Sequence, residues 1–131
     1  MAQRMDSYWS TKKLTKKRSH TFARLAARLL KREKKILELG AGGGADTFFF
    51  AARGHTVTAV DISSKHVDHI RKKATSSGLK VEAKRFDLAG KFPWKSQSFD
   101  AAYAHLSLHY IDDAKTKRNF REIHRVLKRG G

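Results

Sequence analysis

The sequence predicts a doubly wound α/β sandwich, a parallel sheet covered by helices on both faces, and three observations carry that expectation. Short apolar or β-branched runs alternate with helical patterns, the first run ends in Gly40-Ala41-Gly42-Gly43-Gly44, and an acidic residue closes both the second and the third. Such alternation implies parallel pairing through right-handed crossovers.

The elements follow in order. Phe22, Leu25, Ala26, Leu29 and Leu30 recur at helical spacing with Arg24, Arg28, Lys31 and Arg32 between them, which predicts an amphipathic helix with those apolar residues inward. Ile36 to Leu39 is a short apolar run and the first strand. The stretch from Ala45 to Arg53 is helical, ended by Gly54, and Phe48, Phe49 and Phe50 make it apolar on several sides, so it is expected to be buried. Thr56 to Val60, rich in β-branched residues, is the second strand and ends at Asp61. Ser63 or Ser64 caps the next helix, which Ser77-Gly78 stops, and His66 and His69 on it are expected at the surface. Val81 to Phe86 is a third strand, Ala89 to Ser98 a loop holding the single proline, and Phe99 to Ala104 a fourth strand. After Asp112 or Asp113 as N-cap, Phe120, Ile123 and Leu127 mark the face of a last helix, which Gly130-Gly131 breaks.

A chain of 131 residues has room for one modest core. Two segments are expected, a basic helical one over 1–35 and a core over 36–131. With no cysteine, a disulfide framework, a thiolate nucleophile and a cysteine-held metal are excluded. The longest apolar stretches fall far short of the roughly 20 residues of a membrane span, and Met1 to Ser10 lacks the apolar core of a secretory signal, so a cytoplasmic location is expected. The net charge is +17, and Met1 to Lys35 holds 12 basic against 2 acidic residues. That excess could attract RNA or another nucleic acid, an anionic membrane surface or an acidic small substrate, although a solvated lysine-rich surface is the simpler reading.

Ligands of open parallel sheets bind at the carboxyl ends of the strands where the topology reverses. There, Gly40, Gly42 and Gly44 allow a tight turn and close approach of the backbone to a ligand, and the helix start behind them offers N–H groups. Asp61, 21 residues beyond Gly40, is placed to accept from ribose hydroxyls. Asp87 is placed to accept from an adenine amine, with Ile62 and Leu88 available to sandwich the ring. Glu38 separates the possible cofactors. A carboxylate two residues before the first glycine repels a pyrophosphate but favours an ammonium or a sulfonium, a description that S-adenosylmethionine meets.

With these residues in view, the sequence resembles the class I S-adenosylmethionine-dependent methyltransferases over Ile36 to Gly131. The resemblance rests on Ile36 to Gly44, Val60 to Ser63, Phe86-Asp87-Leu88, Phe99-Asp100, Leu108-His109-Tyr110 and Leu127 to Gly131. It implies a Rossmann-like sheet and methyl transfer from S-adenosylmethionine, leaving S-adenosylhomocysteine. It further implies that Glu38 and the backbone of Gly40, Ala41 and Gly42 hold the methionine portion, Asp61 the ribose, and Asp87 and Leu88 the adenine. The backbone at Ala104 and His105 would face the ammonium and the methyl group, and His109 matches a position that is commonly histidine.

No residue is compelled to be a catalytic base, with His105 the candidate, and His105 and His109 are not expected to form a metal pair. Tyr8 and Trp9 could close over the cofactor or act as a hydrophobic staple. The family's fifth strand follows the terminal glycine pair, so the C-terminal strands of the full fold are missing here. The fourth strand is therefore expected to present an edge for a homodimer or for strands of a longer chain. A small-molecule acceptor is the first expectation. A non-catalytic cofactor-binding module is the second reading, and an NAD-dependent oxidoreductase, which Glu38 disfavours, the third.

Overall fold

β1 (Lys35–Leu39) is buried from Ile36 onward on both of its faces, as a central parallel strand must be. The computed structural model describes residues 6–8 and 21–131. Around β1 lie α1 (Thr21–Ala27), α2 (Ala45–Ala51), β2 (Thr56–Asp61), α3 (Ser64–Ser77), β3 (Val81–Arg85), β4 (Ala101–Ala104), a 3-10 turn at Leu108–Tyr110 and α4 (Asp113–Val126). The strands are parallel in the order β3-β2-β1-β4. The chain steps outward from β1 to β3 and then crosses to the other side of β1, so the reversal falls between β1 and β4.

Each sheet face has its own core. Ile36, Val57, Ala59 and Tyr103 pack with Phe48, Phe50, Val67 and Ile70 beneath α2 and α3. Leu37, Leu39 and Val60 pack on the other face with Phe92, Phe99 and Val126. The loop at 89–98 is therefore more than a connector, since it carries Phe92 and Trp94 onto this face. There they meet Phe86 and each other edge-on, with ring centroids 5.2 to 5.7 Å apart. The three phenylalanines of α2 divide their surroundings: Phe48 and Phe50 are buried, while the Arg53 guanidinium covers the Phe49 ring at 3.5 Å.

Two helix faces differ from expectation. In α1 and the turn after it, Phe22, Leu25 and Leu29 are exposed, and Ala23, Ala26, Ala27 and Leu30 pack on the core instead. The hydrophobic stripe is wide enough to permit either rotation, and small residues let α1 approach α2 closely. In α4, Phe120 is exposed, and the inward side consists of Asn119, Ile123, Val126 and Leu127. Asp112 caps α4 through the Lys115 N–H and Ser63 caps α3 through the His66 N–H. The fourth strand begins at Ala101, preceded by a single parallel bridge between Phe99 and Leu127. Trp9 lies outside the described residues, and Tyr8 is exposed. Among the described residues no helix is long and apolar enough to cross a membrane.

The entry to β1 is fixed by a histidine. The Lys34 N–H donates to His55 Nδ1 at 3.0 Å, while the Thr56 N–H donates to the Lys34 carbonyl. Burial, reinforced by the Arg53 charge, holds the His55 imidazole below its ordinary pKa of 6.5. Below pH 6.5 the unfolded chain therefore binds the proton more readily than the folded one, and stability falls as the pH drops. Urea midpoints should decline between pH 7.5 and 5.5, and His55→Gln, which keeps an acceptor but cannot titrate, should flatten that decline. An equal decline in both proteins would assign it elsewhere.

Candidate functional site

Three carboxylates gather at the carboxyl edge of β1 and β2, each held by a different element. Asp61 ends β2 and joins two segments: Oδ2 accepts the Gly42 N–H at 2.8 Å, and Oδ1 accepts the Ser63 N–H at 2.9 Å. His66 Nδ1 lies 3.3 Å from the same Oδ1, and His66 is buried, contrary to the surface position expected for it. The cause is local, because the Ser63 cap turns the first helical turn of α3 back towards the strand end. A carboxylate offers about four lone-pair sites. These partners occupy at most three of them, which leaves room for a hydroxyl donor on a largely buried side chain.

Glu38 and Asp46 are almost fully enclosed, at 3% and 2% exposure. The Thr47 hydroxyl donates to Glu38 Oε2 at 2.5 Å, and the Tyr103 hydroxyl donates to Asp46 Oδ2 at 2.8 Å. His105 Nδ1 stands 3.7 Å from that same Asp46 oxygen. Taking a carboxylate out of water costs several kcal/mol even after relaxation, so stability alone would favour apolar side chains here. A pair of buried acids beside a glycine turn is chemically suited to positive charge or hydroxyl donors.

The glycine turn itself is well satisfied. The N–H groups of Gly40 and Ala41 donate to the Val60 carbonyl, both at 2.9 Å, and the Gly44 N–H donates to the Ala41 carbonyl at 3.1 Å. With Gly42 bonded to Asp61, these four N–H groups are directed at the protein rather than outward. Gly40, Gly42 and Gly44 all have positive φ, at 75°, 56° and 86°. A Cβ on Gly40 would come within 2.3 Å of the Ser107 Cβ, and one on Gly44 within 2.8 Å of Ile70. At these two positions glycine serves the turn and the packing of neighbouring protein.

β4 delivers the remaining wall. Ala104 pairs with Leu39, and the Ser107 hydroxyl donates to the Leu39 carbonyl at 2.7 Å, which holds Ser107 against Gly40. Beyond β3, Asp87 closes a turn by accepting the Ala89 N–H at 2.8 Å. The Asn119 amide donates to the Leu88 carbonyl at 2.7 Å and Arg118 to the Ala89 and Gly90 carbonyls, so α4 clamps this loop. Ile62 is fixed through its carbonyl by Arg85, and Arg85 also pairs with Asp6 at 2.9 Å. Asp6 in turn accepts the Ser64 N–H at 3.2 Å, so the helical turn at 6–8 lies across the Asp61 and Ile62 edge.

Glu38, Asp61 and the glycines, singled out by spacing, come together at one edge of the sheet. Asp46, Thr47, Tyr103 and Ser107 were not singled out. Asp46 reads as an ordinary acid in a first helical turn, and only the pairing of Glu38 with Tyr103 in the β1–β4 register brings that ring beside it. Among the described residues no group of three histidine or acidic side chains could hold a metal ion.

A parallel sheet whose order reverses beside a glycine turn has the architecture of the open α/β domains that take ligands at the carboxyl ends of their strands. Residues 36–131 match the family described as "Methyltransferase domain", and the chain belongs to that family, the class I S-adenosylmethionine-dependent methyltransferases. It is 32% identical over 101 residues to the ubiquinone biosynthesis O-methyltransferase of Pseudomonas syringae pv. tomato, covering 75% of this chain and 41% of that protein. The PH0226 protein of Pyrococcus horikoshii superposes with a TM-score of 0.77 at 28% identity, over 86% of this chain and 52% of the other. The 1,6-didemethyltoxoflavin-N1-methyltransferase of Burkholderia thailandensis, solved with bound S-adenosylhomocysteine, gives 0.71 at 26% identity, over 81% and 45%. The chain thus spans about two fifths of the curated relative's length.

The Gly40 turn can be tested without any ligand. Gly40→Ala should cost roughly 2 to 4 kcal/mol, combining the left-handed backbone with overpacking on Ser107. In urea titrations, Ser107→Gly in the same background should recover the packing share but not the backbone share. A neutral Gly40→Ala protein would refute this account.

Proposed function

We propose that this chain forms the cofactor-binding core of an enzyme that transfers a methyl group from S-adenosylmethionine to a small-molecule nucleophile. The observation that carries the reading is the set of three acids, Glu38, Asp46 and Asp61, around a glycine turn whose own N–H groups are largely consumed. Such an edge suits a cationic, hydroxyl-bearing ligand and not a pyrophosphate. Bound there, S-adenosylmethionine supplies an electrophilic methyl group on a positively charged sulfur.

The chain's residues have distinct tasks. Glu38, oriented by Thr47, accepts from the ammonium end of the methionine portion, directly or through water, beside the backbone of Gly40, Ala41, Gly42 and Gly44. Asp61 uses its remaining acceptor capacity for the ribose, and His66 and Ser63 hold its carboxylate in place. Asp87 accepts from the adenine amine, while Ile62 and Leu88 flank the ring on loops held by Arg85 and Asn119. Ala104 and His105 face the methyl group, with His105 as the acceptor-side base. Support for His105 comes from its place two residues before Ser107, whose hydroxyl ties the loop after β4 to the Leu39 carbonyl. The relative's hydroxyl chemistry, stated in its name as an O-methyltransferase, agrees with an oxygen acceptor.

Calorimetry with S-adenosylhomocysteine, and with NAD as the competing cofactor, tests the reading. S-adenosylhomocysteine should bind and NAD should not. Asp61→Asn keeps the side chain's shape but loses charge-assisted acceptance worth about 1.5 to 3 kcal/mol per bond, so affinity should fall at least tenfold. Unchanged affinity in a folded Asp61→Asn protein, or preferential binding of NAD, would overturn the assignment.

A further inference from the structure

We propose that the outward face of α1 and the turn after it docks on an anionic lipid bilayer. Leu25 and Leu29 enter the headgroup boundary, and Arg24, Arg28, Lys31 and Arg32 lie against lipid phosphates. The inference goes beyond the methyl-transfer reading and does not depend on which cofactor the chain takes.

A helix whose sole task was to cover the sheet would turn its largest apolar residues inward. In α1 the small residues Ala23, Ala26 and Ala27 take that side, with Leu30 behind them. Phe22, Leu25 and Leu29 instead face solvent, at 45%, 53% and 83% exposure. The coil keeps its course to the end of this stripe, because the N–H groups of Arg28, Leu29 and Leu30 donate to the carbonyls of Leu25, Ala26 and Ala27 at 3.0 to 3.3 Å. The three large residues therefore recur at i, i+3 and i+7 along one side. Grouped exposed apolar side chains rimmed by polar ones mark a surface that meets something else. Phe22 is partly engaged already, stacked on His105 at 4.9 Å between centroids and reaching Tyr103 at 5.5 Å. Leu25 and Leu29 are the outermost of the three.

The charges around the stripe identify the occupant. Thr21 to Arg32 holds four cations, Arg24, Arg28, Lys31 and Arg32, and no acid. All four are exposed, and none has an ion-pair partner among the described residues. Glu33, the next acid along the chain, lies beside Gly54. Arg24 and Arg28 are four apart, a like-charge spacing that weakens a helix by itself and that a neighbouring anion relieves. An apolar stripe bordered by cations finds both of its complements at an anionic bilayer, where leucines reach the acyl boundary while long basic side chains keep their charges at the phosphates. A nucleic acid would use the cations but offers nothing to exposed leucines, and the single aromatic of this face is already stacked on His105. A second copy of the chain would bring two sets of four cations together. The 12 basic against 2 acidic residues of Met1 to Lys35 add attraction at a distance, and a face this short gives reversible attachment.

Co-sedimentation of the full chain with extruded vesicles tests this. At low salt the chain should partition onto phosphatidylcholine vesicles containing about one third phosphatidylglycerol roughly tenfold or more better than onto phosphatidylcholine alone. Salt at about 1 M, where the Debye length shrinks to roughly 3 Å, should release most of it. Leu25→Gln combined with Leu29→Gln removes the stripe and keeps every charge, and its binding to the anionic vesicles should fall roughly tenfold or more, with folding checked by circular dichroism. Leu29→Trp should bind like the parent, and its added fluorescence should move to shorter wavelength on anionic vesicles. The wild-type and Leu29→Trp measurements decide the matter even if the double variant does not fold. Equal partition onto neutral and anionic vesicles, or none onto either, would overturn the proposal. So would undiminished binding by the folded double variant, or an unshifted Leu29→Trp spectrum. Binding of poly(U) without binding of anionic vesicles would assign the basic segment to a nucleic acid. Dimers in sedimentation equilibrium that the double variant loses, again without vesicle binding, would assign the face to a second copy. Either result refutes lipid docking.

Discussion

The carboxylate of Asp61 joins the end of β2, the glycine turn after β1 and the start of α3, and the geometry of the whole edge depends on it. Parallel strands end in separate loops with nothing intrinsic to hold them together, because each loop leads to its own crossover. Here one side chain accepts a backbone N–H from each of two loops, and a buried histidine borders it. The turn at Gly42 is thereby tied to the residue that would meet a ribose. Any ligand contacting Asp61 reaches a group already oriented by the fold, so little ordering remains for binding to supply.

The charges are sorted by depth. Glu38 and Asp46 are enclosed and Asp61, Asp87 and Asp100 are partly buried, whereas Lys65, Arg71, Lys72 and Lys73 of α3 all lie in solvent. A protein of net charge +17 would repel a sulfonium if its field acted evenly. It does not, because exposed charges farther away than a Debye length of about 8 Å are largely screened at physiological ionic strength. A carboxylate about 4 Å from a cation interacts with roughly 4 kcal/mol at an effective dielectric of 20. At the strand ends the nearby acids therefore outweigh the basic exterior, whose field acts mainly at longer range.

What could be read from the sequence follows the same division between local and non-local causes. Strand ends, glycine positions and caps come from residues near one another in the chain, and Ser63, Asp112 and the positive-φ glycines sit where local rules put them. The helix faces were harder. The stripe from Phe22 to Leu30 is compatible with two rotations, and the choice was made by how closely α1 can approach α2, a property of the partner. His66 looked like one more polar residue on a solvated helix, and its burial follows from the angle at which Ser63 starts that helix. Asp46 and Tyr103 are 57 residues apart, and only the decision to place β4 next to β1 unites them.

That placement also bears on why this edge differs from one made for a dinucleotide. In such folds the start of the helix after the first strand is left open, and its N–H groups together with the helix dipole receive the pyrophosphate. In this protein the first turn of α2 carries its own acid, Asp46, buried and bonded to Tyr103, and Glu38 is bonded to the next residue, Thr47. The positive end of the helix is thus compensated by the chain itself. A phosphate there would have to displace or confront two carboxylates in a poorly hydrated corner, where like charges cost most. A ligand bearing positive charge meets the reverse situation, since it completes the charge balance of acids that the fold has already removed from water. The same two side chains therefore work against an anionic ligand and in favour of a cationic one.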